Sequence, residues 1–254
     1  MNSGSIVTVI GGSGFLGSHV ADTLSTKGYK VRVFDLHTSP YLKAEQEMIC
    51  GDIMDMDALT RAMEGASAVY NFAGVADLDE AHDDPIRTTE LNVLGNTMAL
   101  EAAYRNSVKR YIYASTVYVF SNSGSFYRCS KQAAEHFVEA YSDRYGLEYT
   151  ILRYGSLYGR RSNEQNGIFR LLRQALLEKK VTYFGDGEAI REYIHVTDAA
   201  ELSARILDPQ YANRHLVLTG QERLRVRDLM LMIKEILPDE IQLEFATANP
   251  DSHY

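Results

Sequence analysis

The sequence predicts an α/β protein built on a doubly wound parallel sheet, followed by a smaller C-terminal region, and three observations carry that prediction. An apolar β-branched run, Ile6-Val7-Thr8-Val9-Ile10, opens the chain and reads as a strand buried on both faces. A glycine-rich turn leads from it straight into a helix pattern. Strand-like and helix-like segments then alternate as far as residue 155.

Each element follows in order. In Gly11-Gly12-Ser13-Gly14-Phe15-Leu16-Gly17, Gly11 permits a tight turn, Gly14 lets backbone approach a pyrophosphate, and Gly17 lets helix pack on strand. Phe15 and Leu16 begin a helix through His19, Val20 and Leu24, whose first amides and dipole favour a bound phosphate. The next strand, Lys30 to Phe34, ends at Asp35, about 20 residues past the glycines, where a carboxylate binds ribose hydroxyls and repels a 2′-phosphate. This favours NAD over NADP. Short strands follow at Glu47–Cys50 and Ala68–Phe72, with a helix through Leu59 and Met63 between them. Pro85 opens a long helix to Arg105, Arg110–Ala114 is a strand delivering Ser115 to the sheet's carboxyl edge, and Tyr149–Arg153 reads as the last strand of this Rossmann-type unit.

Tyr127 and Lys131 are the central chemical feature. Four residues apart on a helix, a phenol and an ammonium share one face, so the cation is expected to lower the phenol's pKa toward neutrality and make a proton shuttle. Cys129, between them, faces another side and reads as buried packing.

Composition agrees with an ordinary globular protein. The chain has 254 residues, 45% of them hydrophobic, and a net charge of −8, which argues against a nucleic-acid polymer as partner. Its two cysteines, Cys50 and Cys129, lack metal-ligand spacing, so no metal is expected and free thiols suit the cytoplasm. No apolar run approaches the roughly 20 residues needed to span a membrane. From residue 156 a smaller substrate region is expected, with the chain returning to the main sheet at about 190–200. Its elements are a helix from Gly167 to Lys179, a strand Val181–Phe184 and a helix from Val226 to Leu237 closed by Pro238.

The ordered motifs resemble the extended short-chain dehydrogenase/reductases that act on nucleotide sugars. They are Gly11-x-x-Gly14-Phe15-x-Gly17, Gly51-Asp52, Phe72-Ala73-Gly74, Asn92-Val93-x-Gly95, Ser115, Tyr127-x-x-x-Lys131 and Arg153-x-x-x-x-Tyr158-Gly159. Gly185-Asp186-Gly187 and Arg191-Glu192-Tyr193-Ile194-His195-Val196-x-Asp198 complete the set.

The resemblance implies Asp52 and Ile53 beside adenine, Phe72, Ala73 and Gly74 along the cofactor channel, Tyr154 on the nicotinamide side, and Asn92 anchoring the active-site helices. Arg191 corresponds to a clamp on the substrate diphosphate, which Arg160, Arg161, Arg170 and Arg173 could extend. Tyr127, as phenolate, would take a proton from a sugar hydroxyl while hydride leaves the same carbon, with Ser115 hydrogen-bonded to the reacting oxygen and Thr116 in reserve.

The sequence departs from the family pattern at several points. Ala114 stands where the hydroxyl residue usually lies relative to Tyr118, Val119 replaces a glycine, Ser156 an asparagine and Arg160 a proline. Thr116-Val117 occupies the place of the dehydratases' Asp-Glu pair and of the decarboxylases' Glu, so epimerisation, most often at C4, is favoured. A keto-sugar reductase comes second, and a silent NAD-binding regulator is the alternative of another class. The resemblance further implies a nucleotide-diphosphate sugar as substrate, a role in polysaccharide precursor synthesis, and a homodimer through a four-helix interface made by the Pro85–Arg105 and Tyr127–Tyr145 helices. Relatives extend several tens of residues further, so either a missing C-terminal tail or a compact subgroup is expected.

Overall fold

A computed structural model describes residues 3–247 of the chain. It begins β1 (Ile6–Ile10), α1 (Phe15–Thr26), β2 (Lys30–Asp35), β3 (Glu47–Cys50), α2 (Met56–Met63), β4 (Ala66–Asn71), α3 (Leu78–Asp83) and α4 (Pro85–Thr89). A π-helical turn (Glu90–Gly95), α5 (Asn96–Arg105), β5 (Arg110–Thr116), a 3-10 turn (Val117–Phe120), α6 (Ser125–Tyr145) and β6 (Glu148–Tyr154) follow. The rest is β7 (Ser156–Tyr158), α7 (Gly167–Glu178), β8 (Lys180–Phe184), β9 (Ile190–His195), α8 (Val196–Arg205), β10 (Arg214–Leu218), β11 (Arg223–Arg225), α9 (Val226–Ile236) and β12 (Gln242–Ala246).

The chain divides into two compact units. The first runs to Tyr154 and takes in Thr197–Leu218; the second is Gly155–Val196 and the residues from Thr219. The returning segment is therefore Thr197–Leu218 rather than about 190–200, because residues 190–196 are in the second unit.

The first unit holds a seven-stranded sheet in the order β10-β6-β5-β4-β1-β2-β3, with every neighbouring pair parallel. Its central strands β1, β4 and β5 are buried almost throughout because both faces are covered. The one hydroxyl within β1, on Thr8, is buried and donates to the Ala62 carbonyl at 2.6 Å. Leu59, Met63, Leu100, Tyr111 and Ile151 form the core on the side of α2, α5 and α6. Asp55 caps α2 by accepting from the Asp57 and Ala58 amides.

Three expectations change here. Tyr149–Arg153 belongs to β6, which is not the last strand: β10 adds beyond it, pairing Arg214 with Thr150 through Leu218 with Tyr154. The Pro85–Arg105 segment is interrupted by the π-helical turn at Glu90–Gly95. The strand expected to end at Ala114 continues to Thr116, paired with Tyr154 of β6.

In the second unit β11, β9 and β7 form a three-stranded sheet, while β8 and β12 form a parallel pair. Ala175 of α7, Val181 and Tyr183 of β8, and Val226, Met230 and Ile233 of α9 make its core.

Candidate active site

The loop after β1 is shaped for close approach. Gly11 has φ +73°, and a Cβ there would lie 2.6 Å from the Ala73 amide nitrogen. A Cβ on Gly17 would collide with the Gly11 carbonyl oxygen, so this glycine sets how closely α1 packs on the loop. Gly14 is the N-cap of α1, without a side-chain cap and without acidic residues in the first turn, leaving the positive end of the helix dipole unneutralised. Phe15 and Leu16 begin that helix, half-buried.

Asp35 ends β2 beside this loop. Its carboxylate accepts from the Ser13 amide at 3.0 Å and from the His37 amide at 3.4 Å. Asp52 accepts from the Met54 amide at 2.9 Å, and Ile53 is buried against Gly95. After β4, Phe72 stacks on Tyr70, Ala73 is half-buried, and Gly74 (φ +140°) passes so close to Asn92 that a Cβ would strike its Oδ1. The cradle, the uncapped helix and the carboxylate beyond them together fit a dinucleotide such as NAD.

Asn92 sits in the π-helical turn and is buried. Its Oδ1 accepts from the Val75 amide at 2.8 Å, while Nδ2 donates to the Val75 carbonyl at 3.0 Å and to Ser130 Oγ at 2.9 Å. Ser130 in turn donates to the Tyr127 carbonyl at 2.8 Å. The turn therefore joins the loop after β4 to the first turns of α6.

Tyr127 is half-buried in the first turn of α6, and Lys131 is buried one turn further on. Lys131 Nζ donates to the Ala114 carbonyl at 3.0 Å and lies 5.0 Å from the centre of the Tyr113 ring and 5.9 Å from that of Tyr127. Burial lowers its pKa to about 8, against an opposing pull from Glu135. The expectation for the phenol is corrected. Burial pushes Tyr127 up to about 12, and what lowers it is a hydrogen bond with Thr116, not the ammonium.

The two hydroxyls at the end of β5 part company. Thr116 meets Tyr127, and its Oγ1 also accepts from the Tyr118 amide at 3.2 Å. Ser115, equally buried, instead donates to Glu135 Oε1 at 2.5 Å. The two neighbouring hydroxyls thus take different partners on α6, and Thr116 is the one beside the phenol. Glu135 carried no signal in the sequence reading, although it lies one helical turn beyond Lys131.

Other predicted residues make contacts of their own. Tyr154 is buried with its hydroxyl 2.6 Å from Ser203 Oγ, so its phenol serves the core. Cys129 is exposed rather than packed, and Cys50 is exposed too, 3.4 Å from Thr38 Oγ1. Ser156 on β7 and Arg191 on β9 are half-buried residues of the second unit. In that unit Arg173 pairs with Glu164 at 3.0 Å, and Arg170 donates to the Glu164 carbonyl at the same distance. The two arginines line an open cavity of about 390 Å³ with Gln174, Thr182 and Phe184.

Residues 7–218 match the NAD dependent epimerase/dehydratase family, and the chain belongs to it. It is thus an enzyme of that family. It is 26% identical to a putative UDP-glucose 4-epimerase of Methanocaldococcus jannaschii, over 90% of this chain and 81% of that protein. Among solved structures it resembles the UDP-glucose 4-epimerase of Thermotoga maritima crystallised with UDP-glucose, with a TM-score of 0.88 and 26% identity over 98% of this chain and 88% of the other. A dTDP-glucose 4,6-dehydratase of Streptomyces venezuelae, crystallised with NAD, is similar at a TM-score of 0.89 and 26% identity, over 97% and 86% of the two chains.

Proposed function

We propose that the chain is an NAD-dependent epimerase of nucleotide-diphosphate sugars, inverting C4 through a transient keto sugar. The observation that carries this reading is the meeting of Thr116, Tyr127 and Lys131 at the carboxyl end of β5. No carboxylate stands in Thr116-Val117, the place where a water-eliminating enzyme of this family has its acid and base.

In this mechanism Tyr127 takes the proton from the substrate hydroxyl and later returns it. Thr116, beside Tyr127, is assigned to donate to the reacting oxygen when substrate binds, in preference to Ser115, which is held by Glu135. NAD, when bound in its oxidised form, supplies the hydride acceptor and a positive charge beside the phenol. Lys131, whose Nζ lies 5.9 Å from the centre of the Tyr127 ring, is assigned to hold the phenol in place rather than to lower its pKa. Gly11, Gly14 and Gly17 would cradle the pyrophosphate and Asp35 would hold the adenosine ribose, excluding the 2′-phosphate of NADP. Arg191 is assigned to the substrate diphosphate and Ser156 to the sugar.

Leu94, Phe137, Tyr104 and Tyr145 expose apolar surface on and around α5 and α6, which supports a homodimer built on these helices.

The test is spectroscopic. UDP-, GDP-, CDP- and dTDP-sugars are added in turn to the NAD-loaded protein, and reduced nicotinamide is followed by its absorbance. A cognate sugar should produce a transient reduced signal that Tyr127→Phe abolishes. Silence toward every sugar, with NAD bound, would favour a regulatory NAD-binding protein instead.

A further inference from the structure

Three consecutive residues at the end of β5 are held by three successive turns of α6. The Ala114 carbonyl accepts from Lys131, the Ser115 hydroxyl donates to Glu135, and Thr116 lies beside the Tyr127 phenol. The middle grip is the strongest. Glu135 is buried, and its Oε1 accepts from Ser115 Oγ at 2.5 Å and from Arg153 Nε at 3.0 Å, while Oε2 accepts from Arg153 Nη2 at 2.6 Å.

Arg153 is itself fixed. Its guanidinium lies 4.6 Å from the centre of the Phe120 ring, and Nη2 reaches His215 Nδ1 at 2.9 Å. Arginine can only donate, so His215 accepts at Nδ1 and keeps its proton on Nε2, which faces Glu139 Oε1 at 3.1 Å and Tyr149 Oη at 3.2 Å. A buried ion pair of this kind gains little net stability, because desolvation offsets its attraction. What it does provide is a fixed geometry, with a negative charge one helical turn from the Lys131 ammonium.

We infer that Glu135, tied to Arg153 and Ser115, is a positioning residue that sets the register in which Thr116 meets Tyr127 and supplies the counter-charge for the buried Lys131. The inference rests on the reading of Thr116, Tyr127 and Lys131 as the reacting group. It gives Ser115 a role that involves no contact with substrate. The groups facing Lys131 are the Tyr113 and Tyr127 rings, the Ala114 carbonyl and the Glu135 charge, with Arg153 and His215 behind Glu135.

The counter-charge half is tested by titration and the register half by turnover. The 13C NMR signal of the Lys131 side chain, assigned by its absence in Lys131→Met, is titrated in the native protein, Glu135→Gln and Ser115→Ala. Glu135→Gln should lower the Lys131 midpoint by about one pH unit or more, as expected for loss of a neighbouring opposite charge. Ser115→Ala keeps the carboxylate, so its midpoint should stay put while kcat falls several-fold at unchanged KM. An unmoved midpoint in a folded Glu135→Gln overturns the counter-charge half, and native kcat in Ser115→Ala overturns the register half. If Glu135→Gln does not fold, Glu135→Asp replaces it and should keep the midpoint while lowering kcat; a lowered midpoint there would contradict the inference. A falling midpoint in a protein that turns over no sugar would leave the electrostatic arrangement standing and remove the proposed reaction.

Discussion

At the scale of single residues, the burial of Lys131 makes stability depend on pH. Lys131 titrates in the folded chain near pH 8, below its usual value of 10.5. The unfolded chain therefore binds the extra proton between these values, so stability should rise with pH across that window. Below about pH 8 the cost of keeping the ammonium buried is fully present, and on this arithmetic it is about 3 kcal/mol. Lys131→Met should accordingly raise the melting temperature at pH 7 more than at pH 10, which scanning calorimetry can check. For the hydroxyl, Thr116→Val should lower kcat by about 100-fold with little change in KM, in line with removal of an oxyanion donor. An equal loss in Ser115→Ala, with none in Thr116→Val, would reverse their assignments. That Tyr127 and Lys131 share one side of a helix was legible in the sequence, because their spacing is local. Which of Ser115 and Thr116 lies beside the phenol was not, because it depends on how far β5 runs and on a glutamate 20 residues from Ser115 that bonds that hydroxyl alone.

Elements joined by a single buried side chain carry the next set of consequences. Asn92 bonds the Val75 backbone through both its amide atoms and also holds Ser130, so Asn92→Leu leaves a buried amide and carbonyl without partners. The expected loss is about 2–3 kcal/mol, read as a lower midpoint in chemical denaturation. The glycine loop is as sensitive. Gly17→Ala drives a methyl group into the Gly11 carbonyl and should weaken NAD binding measured by calorimetry, because α1 must retreat from the loop. The loop was readable from sequence because each glycine answers a local steric demand. The π-helical turn was not, since residues 85–105 keep a helical pattern throughout and the extra backbone residue is set by the fit of Asn92 against Val75. Nor was β10, a short strand with an exposed Arg214 and an exposed Val217, whose place comes from pairing with β6.

Whole-molecule properties divide the same way. The parallel sheet followed from alternating patterns and the first strand, whereas the return of Thr197–Leu218 to the first unit depends on buried contacts such as Tyr70 Oη to the Ser203 carbonyl at 2.7 Å. Among the described residues no helix is long and apolar enough to cross a membrane. The proposed homodimer makes its own prediction: Phe137→Glu places a charge on the exposed face of α6 and should shift a dimer to monomer in light scattering. A native protein already monomeric would remove that proposal without touching the chemistry. The central claim, C4 inversion without loss of water, is tested most directly by proton NMR of the product formed from a panel of nucleotide sugars with NAD. The account predicts that one sugar equilibrates with its C4 epimer and no reduced cofactor accumulates. A product lighter by one water or by carbon dioxide, or one bearing a stable keto group, would contradict it.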